Sequence, residues 1–363
     1  MKRIFLHLKK LDWILTLEAV ALVAIGLVCI YSSSLGDFFS FKKQIIFFVL
    51  GFSLMILFSF FDYRILKENP YLILAIYFLC LVALLGLFFF APEIKGTRSW
   101  YKLGLISIDP IEFAKIALII LLAKYFSMRH IEMYNFRHIL LSGFYVFLPA
   151  LLIFLQPDLG SVIILLSIWI VVLFISGINM RHSLILLLIF ALILSLGWSF
   201  LLKDYQRQRV INFAFPQQNL LGGGWSQNQA KIAIGSGGIF GKGIGKGLQT
   251  EYRFLPEPRT DFIFASLAEQ TGLMGILILF LIYGLLINRI IKICLEHQTN
   301  FPRLLSVGFL ALLVSQIFVN VGMNIGILPV IGIPLPFISY GGSGLIALFI
   351  GLGIIQSIKI HKS

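Results

Sequence analysis

Tyr71-Leu72-Ile73-Leu74-Ala75-Ile76-Tyr77-Phe78-Leu79-Cys80-Leu81-Val82-Ala83-Leu84-Leu85-Gly86-Leu87-Phe88-Phe89-Phe90-Ala91 runs for twenty-one residues without a charged side chain. A helix of that length spans about 30 Å, the thickness of a bilayer's hydrocarbon core. Nine further stretches have the same apolar character: residues 13–32, 44–61, 108–126, 139–155, 159–177, 184–202, 262–288, 304–323 and 339–358. Across all 363 residues, 59% are hydrophobic and 12% charged, roughly half the charged share of a soluble domain. The chain reads as an all-α polytopic membrane protein of about ten transmembrane helices, one integral membrane domain over 1–363.

The net charge of +13 would suggest a nucleic-acid partner in a soluble protein, but here the basic residues flank the apolar runs. With the N-terminus on the cytoplasmic side, fifteen Lys and Arg fall inside (2, 3, 9, 10, 64, 67, 124, 129, 137, 181, 289, 292, 303, 359 and 362). The short outer loops hold only Lys42, Lys43, Lys95, Arg98 and Lys102. This excess predicts both termini inside and no nucleic acid. Cys29, Cys80 and Cys294 have no paired spacing, so neither a disulfide framework nor a zinc site is expected. The first apolar run is long, contains Glu18 and lacks a small-residue cleavage pattern, so no cleaved signal peptide is expected.

One outer segment, 203–261, is far longer than the rest and carries eight basic and four acidic residues. Long loops in compact proteins are usually functional, and the chemistry is placed here. At its end, Pro256-Glu257-Pro258-Arg259-Thr260-Asp261-Phe262 sets a carboxylate at the membrane surface, with Thr260 suited to cap the following helix. Asp261 either favours the positive end of a helix dipole or acts as a general base. Glu112 and Lys115 lie three residues apart on one face of the fourth span. They read equally as a neutralising pair or as part of a substrate cavity, since charge inside the bilayer normally faces a partner or water. Glu269, eight residues after Asp261, is expected on a similar face two turns deeper.

Gly235-Ser236-Gly237-Gly238-Ile239-Phe240-Gly241-Lys242-Gly243-Ile244-Gly245-Lys246-Gly247 lacks the P-loop spacing. Its glycines permit close backbone approach, and Lys242 and Lys246 could meet the phosphate of a lipid headgroup or lipid pyrophosphate. The alternative is a flexible turn-rich loop. Asp158, in Gln156-Pro157-Asp158-Leu159-Gly160, is a turn former or a cavity residue. From Asn324 to Gly344 the chain is apolar yet rich in Gly and Pro. Irregular backbone at membrane depth must be covered by protein or line a wet cavity.

Three segments, Ala233 to Gly243, Pro256 to Phe264 and Gly326 to Ser343, occur in an order and at positions that resemble the SEDS family of bacterial shape, elongation, division and sporulation proteins. The resemblance runs from about Asp12 to Gln356. Leu328-Pro329-Val330-Ile331-Gly332-Ile333-Pro334-Leu335-Pro336, together with Phe61-Asp62-Tyr63-Arg64 and Lys95-Gly96-Thr97-Arg98-Ser99-Trp100, is similar to the family's elongation branch. The resemblance implies a peptidoglycan glycosyltransferase that polymerises lipid II onto a nascent glycan strand in the bacterial cytoplasmic (inner) membrane, its site facing outward. It matches Asp261 to the family's essential aspartate, and Glu112 and Lys115 to its polar pair in the fourth span. It also implies a class B penicillin-binding protein as partner, with MreC and MreD as further partners.

On this reading Asp261 deprotonates the acceptor hydroxyl and undecaprenyl pyrophosphate leaves. Arg98, Lys115, Lys242, Lys246, Arg253 and Arg259 are the candidate groups for its charge, or a divalent cation (Mg or Mn) supplies it. Glu112, Glu269 and Asp158 complete the expected substrate-binding set, and no residue is assigned to a metal. Membrane lipid is the solvent, and apolar grooves between spans are expected to hold the polyprenyl chains. The rival readings are a lipid II flippase and a non-catalytic scaffold of the cell-wall synthesis complex.

Overall fold

The computed structural model describes residues 7–34, 38–92, 99–104, 106–129, 136–179, 181–186, 188, 207, 211, 213 and 223–361. In chain order its elements are α1 (Trp13–Ser32), α2 (Phe39–Phe60), α3 (Tyr63–Glu68), α4 (Pro70–Phe90), the strands β1 (Tyr101–Leu103) and β2 (Ile106–Ile108), α5 (Pro110–Arg129), α6 (Phe136–Leu155), α7 (Leu159–Ile175), α8 (Gly223–Gly237), α9 (Leu248–Glu251), α10 (Ile263–Leu295), α11 (Asn300–Ile325) and α12 (Gly342–Ile360). Among the described residues, α1, α2, α4, α6, α10, α11 and α12 are long and apolar enough to cross a membrane. Shorter but equally apolar, α7 has 17 residues. The fourth expected span is α5, which carries Glu112, Lys115, Lys124 and Arg129. Nine of the ten expected spans therefore coincide with helices, and most of the seventh, 184–202, lies outside the described residues.

Local chemistry sets the helix ends. Asp12 caps α1 by accepting from Leu15 N at 3.3 Å, and Asp62 caps α3 by accepting from Arg64 N at 2.9 Å. Pro70 opens α4, where its missing N–H removes no helical bond. Gly326 closes α11 with φ 85°, a left-handed turn that glycine adopts without a Cβ clash. The hairpin pairs Tyr101 with Ile108 and Leu103 with Ile106, antiparallel.

Helix α12 is the centre of the bundle. It buries 72% of its most apolar stretch, against 28% for α2 and for α4. Small residues let backbones approach closely in membrane bundles: a Cβ on Gly353 would lie 2.7 Å from Met55 O on α2. Lipid-facing positions carry large exposed side chains such as Tyr71, Leu79, Phe89 and Phe90. Asp12 N donates to Gln356 Oε1 at 2.8 Å, and Gln356 Nε2 donates back to Asp12 O at 2.9 Å. The start of α1 and the end of α12 thus meet at one end of the bundle. There Asp12 also pairs with Arg289 of α10 at 2.6 Å.

Two features depart from a plain helical bundle. Helix α10 is broken at Gly272, whose φ of 66° and ψ of −165° are non-helical. The expected continuous span 262–288 is therefore corrected to a buried half-helix, Ile263 to Thr271, followed by a membrane-crossing helix from Leu273. The break is tolerated because its backbone groups find other partners: Leu273 N donates to Gly238 O at 2.9 Å and Met274 N to Ile239 O at 3.1 Å. The second feature is the irregular stretch 326–341, which joins α11 to α12 and buries Ile333, Leu335, Phe337 and Ile338. Protein covers its polar backbone: Tyr283 Oη donates to Pro336 O at 2.6 Å, and Gln44 Nε2 to Ser339 O at 3.2 Å.

Candidate functional site

At the bundle end opposite Asp12, the segment Arg259-Thr260-Asp261 is held by three consecutive carbonyl oxygens. Tyr340 N donates to Arg259 O at 2.8 Å, and Ser339 Oγ donates to Thr260 O at 2.7 Å. Asn320 Nδ2 and Asn324 Nδ2 both donate to Asp261 O at 3.0 Å. Each donor comes from α11 or from the stretch 326–341, so the backbone leading into Asp261 is fixed by the irregular segment that the sequence flagged. The Asp261 side chain remains partly exposed and lies beside Gly332, where a Cβ would come 3.5 Å from Oδ2.

The expected Thr260 cap is not formed: Phe262 holds the capping position before Ile263 and offers no side-chain hydrogen bond. Asn324 Oδ1 does that work instead, accepting from Ala265 N at 3.2 Å. Asn320 and Asn324 are the residues that sequence reasoning missed as part of the site. The available signal was two amides four residues apart in an apolar helix, a spacing that puts both on one face. Polar groups buried in a membrane bundle usually have assigned partners.

Arg259 is engaged by the protein itself. Its Nη2 and Nε donate to Ser33 O at 2.7 and 3.3 Å, and its Nη1 to Ser40 Oγ at 3.2 Å. It tethers the segment to the end of α1 and the start of α2. Lys242 and Lys246 are exposed on the glycine-rich turn, and Arg253 is exposed with φ 59°. Arg98 lies outside the described residues.

Glu269 does not share a face with Asp261 two turns up a common helix, because Asp261 precedes the helix start. It is fully buried, and its carboxylate accepts from Gln249 N at 2.7 Å, Thr250 N at 3.2 Å and Thr250 Oγ1 at 2.9 Å. It thereby satisfies the open N–H groups at the start of α9. Thr250 Oγ1 also reaches Ser266 Oγ at 3.2 Å, and Ser266 reaches Ser33 Oγ at 3.4 Å. A buried hydroxyl chain thus links Glu269 to the residue whose carbonyl holds Arg259.

Glu112 and Lys115 meet as the neutralising pair, Lys115 Nζ donating to Glu112 Oε1 at 2.7 Å. Lys115 is fully buried. The start of α5 belongs to the same end of the bundle as Asp261, since Asp109 N donates to Ser343 Oγ at 2.8 Å. A Cβ on Gly344 would lie 3.8 Å from Glu112 Cδ. Asp158 caps α7, accepting from Ser161 N at 3.0 Å. Nearby, Gly160 packs so closely that a Cβ would stand 2.8 Å from Ile331 O. From Phe113 toward the Asp12 end, an apolar groove of about 500 Å³ opens between the end of α2, α3, α4, α5 and α12, lined by Phe61, Leu66, Leu79, Phe113, Ala347 and Ile350 among others.

These features define a polytopic helical membrane protein with a rigidly mounted carboxylate at one end of its bundle and an apolar groove in the half toward the other end. The chain belongs to the FtsW/RodA/SpoVE family, described as "Cell cycle protein", whose model matches residues 12–363. It is 39% identical to the peptidoglycan glycosyltransferase MrdB of Escherichia coli over 362 residues, covering 99% of this chain and 96% of the relative. Among solved structures, it matches the rod shape determining protein RodA of Thermus thermophilus at a TM-score of 0.71 and 30% identity, covering 96% of each chain. It also matches a chain of a structure described as "Structural coordination of polymerization and crosslinking by a peptidoglycan synthase complex", at a TM-score of 0.83 and 31% identity, with 97% of this chain and 99% of that chain covered.

Proposed function

We propose that this chain is a peptidoglycan glycosyltransferase that polymerises lipid II during cell elongation, with Asp261 as general base at the outer face of the cytoplasmic membrane. The observation that carries the reading is the clamp on three successive carbonyls, which fixes the backbone at Asp261 while leaving its carboxylate partly exposed. A base held in a fixed position needs no reorganisation when the acceptor arrives. Asp261 takes the proton of the acceptor sugar's 4-hydroxyl. The oxygen attacks the anomeric carbon of the growing strand, a new glycosidic bond forms with inversion, and the bond to undecaprenyl pyrophosphate breaks.

The leaving pyrophosphate needs positive charge. Lys242, Lys246 and Arg253 are exposed, and Arg98 is the further candidate, whereas Arg259 and Lys115 already have protein partners. Among the described residues, no three of His, Cys, Asp or Glu are grouped to hold a metal. Magnesium is typically held by one or two carboxylates plus substrate phosphates, so Asp261 and the pyrophosphate would be its ligands. A divalent ion there would neutralise the leaving group. The apolar groove beside α5 suits a polyprenyl chain.

The partner in this reading is a class B penicillin-binding protein, with MreC and MreD further out in the elongation complex. The deciding experiment incubates purified protein, with and without that partner in a form unable to polymerise, with lipid II and resolves the glycan products by length. Polymer from the native chain and none from folded Asp261→Asn supports the reading. Lipid II crossing proteoliposomes with no polymer would replace it with a flippase. Growth and complex formation unaffected by Asp261→Ala would replace it with a scaffold.

A further inference from the structure

The face of α10 turned away from the bundle begins directly after the break at Gly272. Leu273, Met274, Leu277, Ile278 and Leu281 are between 49% and 62% exposed. Residues 270–288 carry no charge, and about 20 residues cross the hydrocarbon, so Leu273 stands at the hydrocarbon edge on the Asp261 side. The turn 237–243 is fastened to that edge. Besides the bonds from Leu273 and Met274, Lys242 N donates to Glu269 O at 2.9 Å and Gly243 N to Gln270 O at 3.0 Å. The fit is close enough that a Cβ on Gly272 would lie 2.3 Å from Gly241 N. At the tip of this fastened turn, Ile239 is 58% and Phe240 79% exposed.

We infer that this turn is a membrane-interface anchor: Ile239 and Phe240 enter the boundary between acyl chains and headgroups of the leaflet on the Asp261 side, with Lys242 and Lys246 at the level of the lipid phosphates. Two arguments select bulk phospholipid as the occupant. The exposed pair continues the lipid-facing stripe of α10 at its end. The only charged residues between 232 and 250 are Lys242 and Lys246, and apolar side chains flanked by basic ones are the composition that binds an interface. The inference does not depend on Asp261 being a base. Since Glu269 and Gln270 hold the turn and the half-helix leads back to Asp261, the anchor sets the height of the site above the bilayer.

The test places Trp at the tip, Phe240→Trp in the full chain, reconstituted in nanodiscs of phosphatidylcholine and phosphatidylglycerol. The added emission is the difference from the unsubstituted protein with its five Trp, and Leu277→Trp is the lipid reference. Lipids brominated near the headgroup end of the acyl chain should quench at least half of the added emission. Acrylamide should quench it several-fold less than it quenches free N-acetyltryptophanamide. Full acrylamide quenching without quenching by brominated lipid overturns the anchor. Protection from both quenchers also overturns it, since the occupant would then be protein, such as a second copy of the chain. Ile239→Trp repeats the measurement should Phe240→Trp fold poorly.

Discussion

Asn324 uses its amide in both directions: it donates to Asp261 O at 3.0 Å and to Asn320 O at 2.8 Å, and accepts from Ala265 N at 3.2 Å. Asn324→Asp keeps the acceptor for Ala265 and loses the donor to Asp261. The expected result is kcat for lipid II polymerisation per folded molecule reduced roughly tenfold, about 1.4 kcal/mol of transition-state stabilisation, with KM little changed and the melting temperature lowered, because the new carboxylate is buried facing two carbonyl oxygens. Asn324→Leu also leaves a helix-start N–H unsatisfied, adding about 1–3 kcal/mol of destabilisation, visible as a lower melting temperature in detergent. Asp261→Asn should reduce polymerisation by about 10²–10⁴-fold, the typical size of a general-base contribution, without moving the melt. Lys115→Met should destabilise by about 3–5 kcal/mol by leaving Glu112 buried without its partner. Glu112→Gln with Lys115→Met should recover most of that loss, since no unpaired charge remains. If the single and double variants melt alike, the pair is not what holds α5 in place.

Between residue and bundle, α10 behaves as two elements. Gly272 sits at a positive φ with Gly241 N and Ile239 O where a side chain would go. Gly272→Ala should therefore release the turn 237–243 from the top of the span, with a backbone penalty of about 1–3 kcal/mol. Limited proteolysis should then cut between 238 and 246 faster than in the native chain, while detergent solubility is unchanged. The same element shows what was legible in advance. Its apolar length was plain in the sequence and marked a span, because hydrophobicity over about 20 residues needs no tertiary information. The break at Gly272 was not, because Gly in a membrane helix is ordinary and only the partners supplied by 238–243 make this one irregular. The site divides in the same way. Asp261 stood out as a carboxylate at a span end, and Glu112 with Lys115 as charges inside one. The roles of Arg259 and Glu269 could not be read, because Ser33, Ser40, Gln249 and Thr250 are brought to them only by the fold. Asn320 and Asn324 showed as two amides on one face of an apolar helix, but their partners Asp261 O and Ala265 N are supplied only by the fold.

Over the whole molecule, the start of α1 and the end of α12 close on each other far from the site, through Asp12, Gln356 and Arg289. Arg289→Met leaves the Asp12 carboxylate buried, with Lys359 3.9 Å away as its remaining cation. The expected loss is toward the lower end of about 3–5 kcal/mol, because Arg289 is itself 28% exposed. It should appear as a lower melting temperature with polymerisation per folded molecule unchanged. The central place of α12 matters for how such a protein comes to exist. The helix around which the bundle closes leaves the ribosome after α1 to α11. Until it does, α2 has no partner for Met55, and the Asp12 backbone has no Gln356. During synthesis the clamp on Asp261, which needs Ser339 and Tyr340, cannot form before those residues are made. A chain interrupted before Ser339 would therefore lack the mount that holds its carboxylate in place.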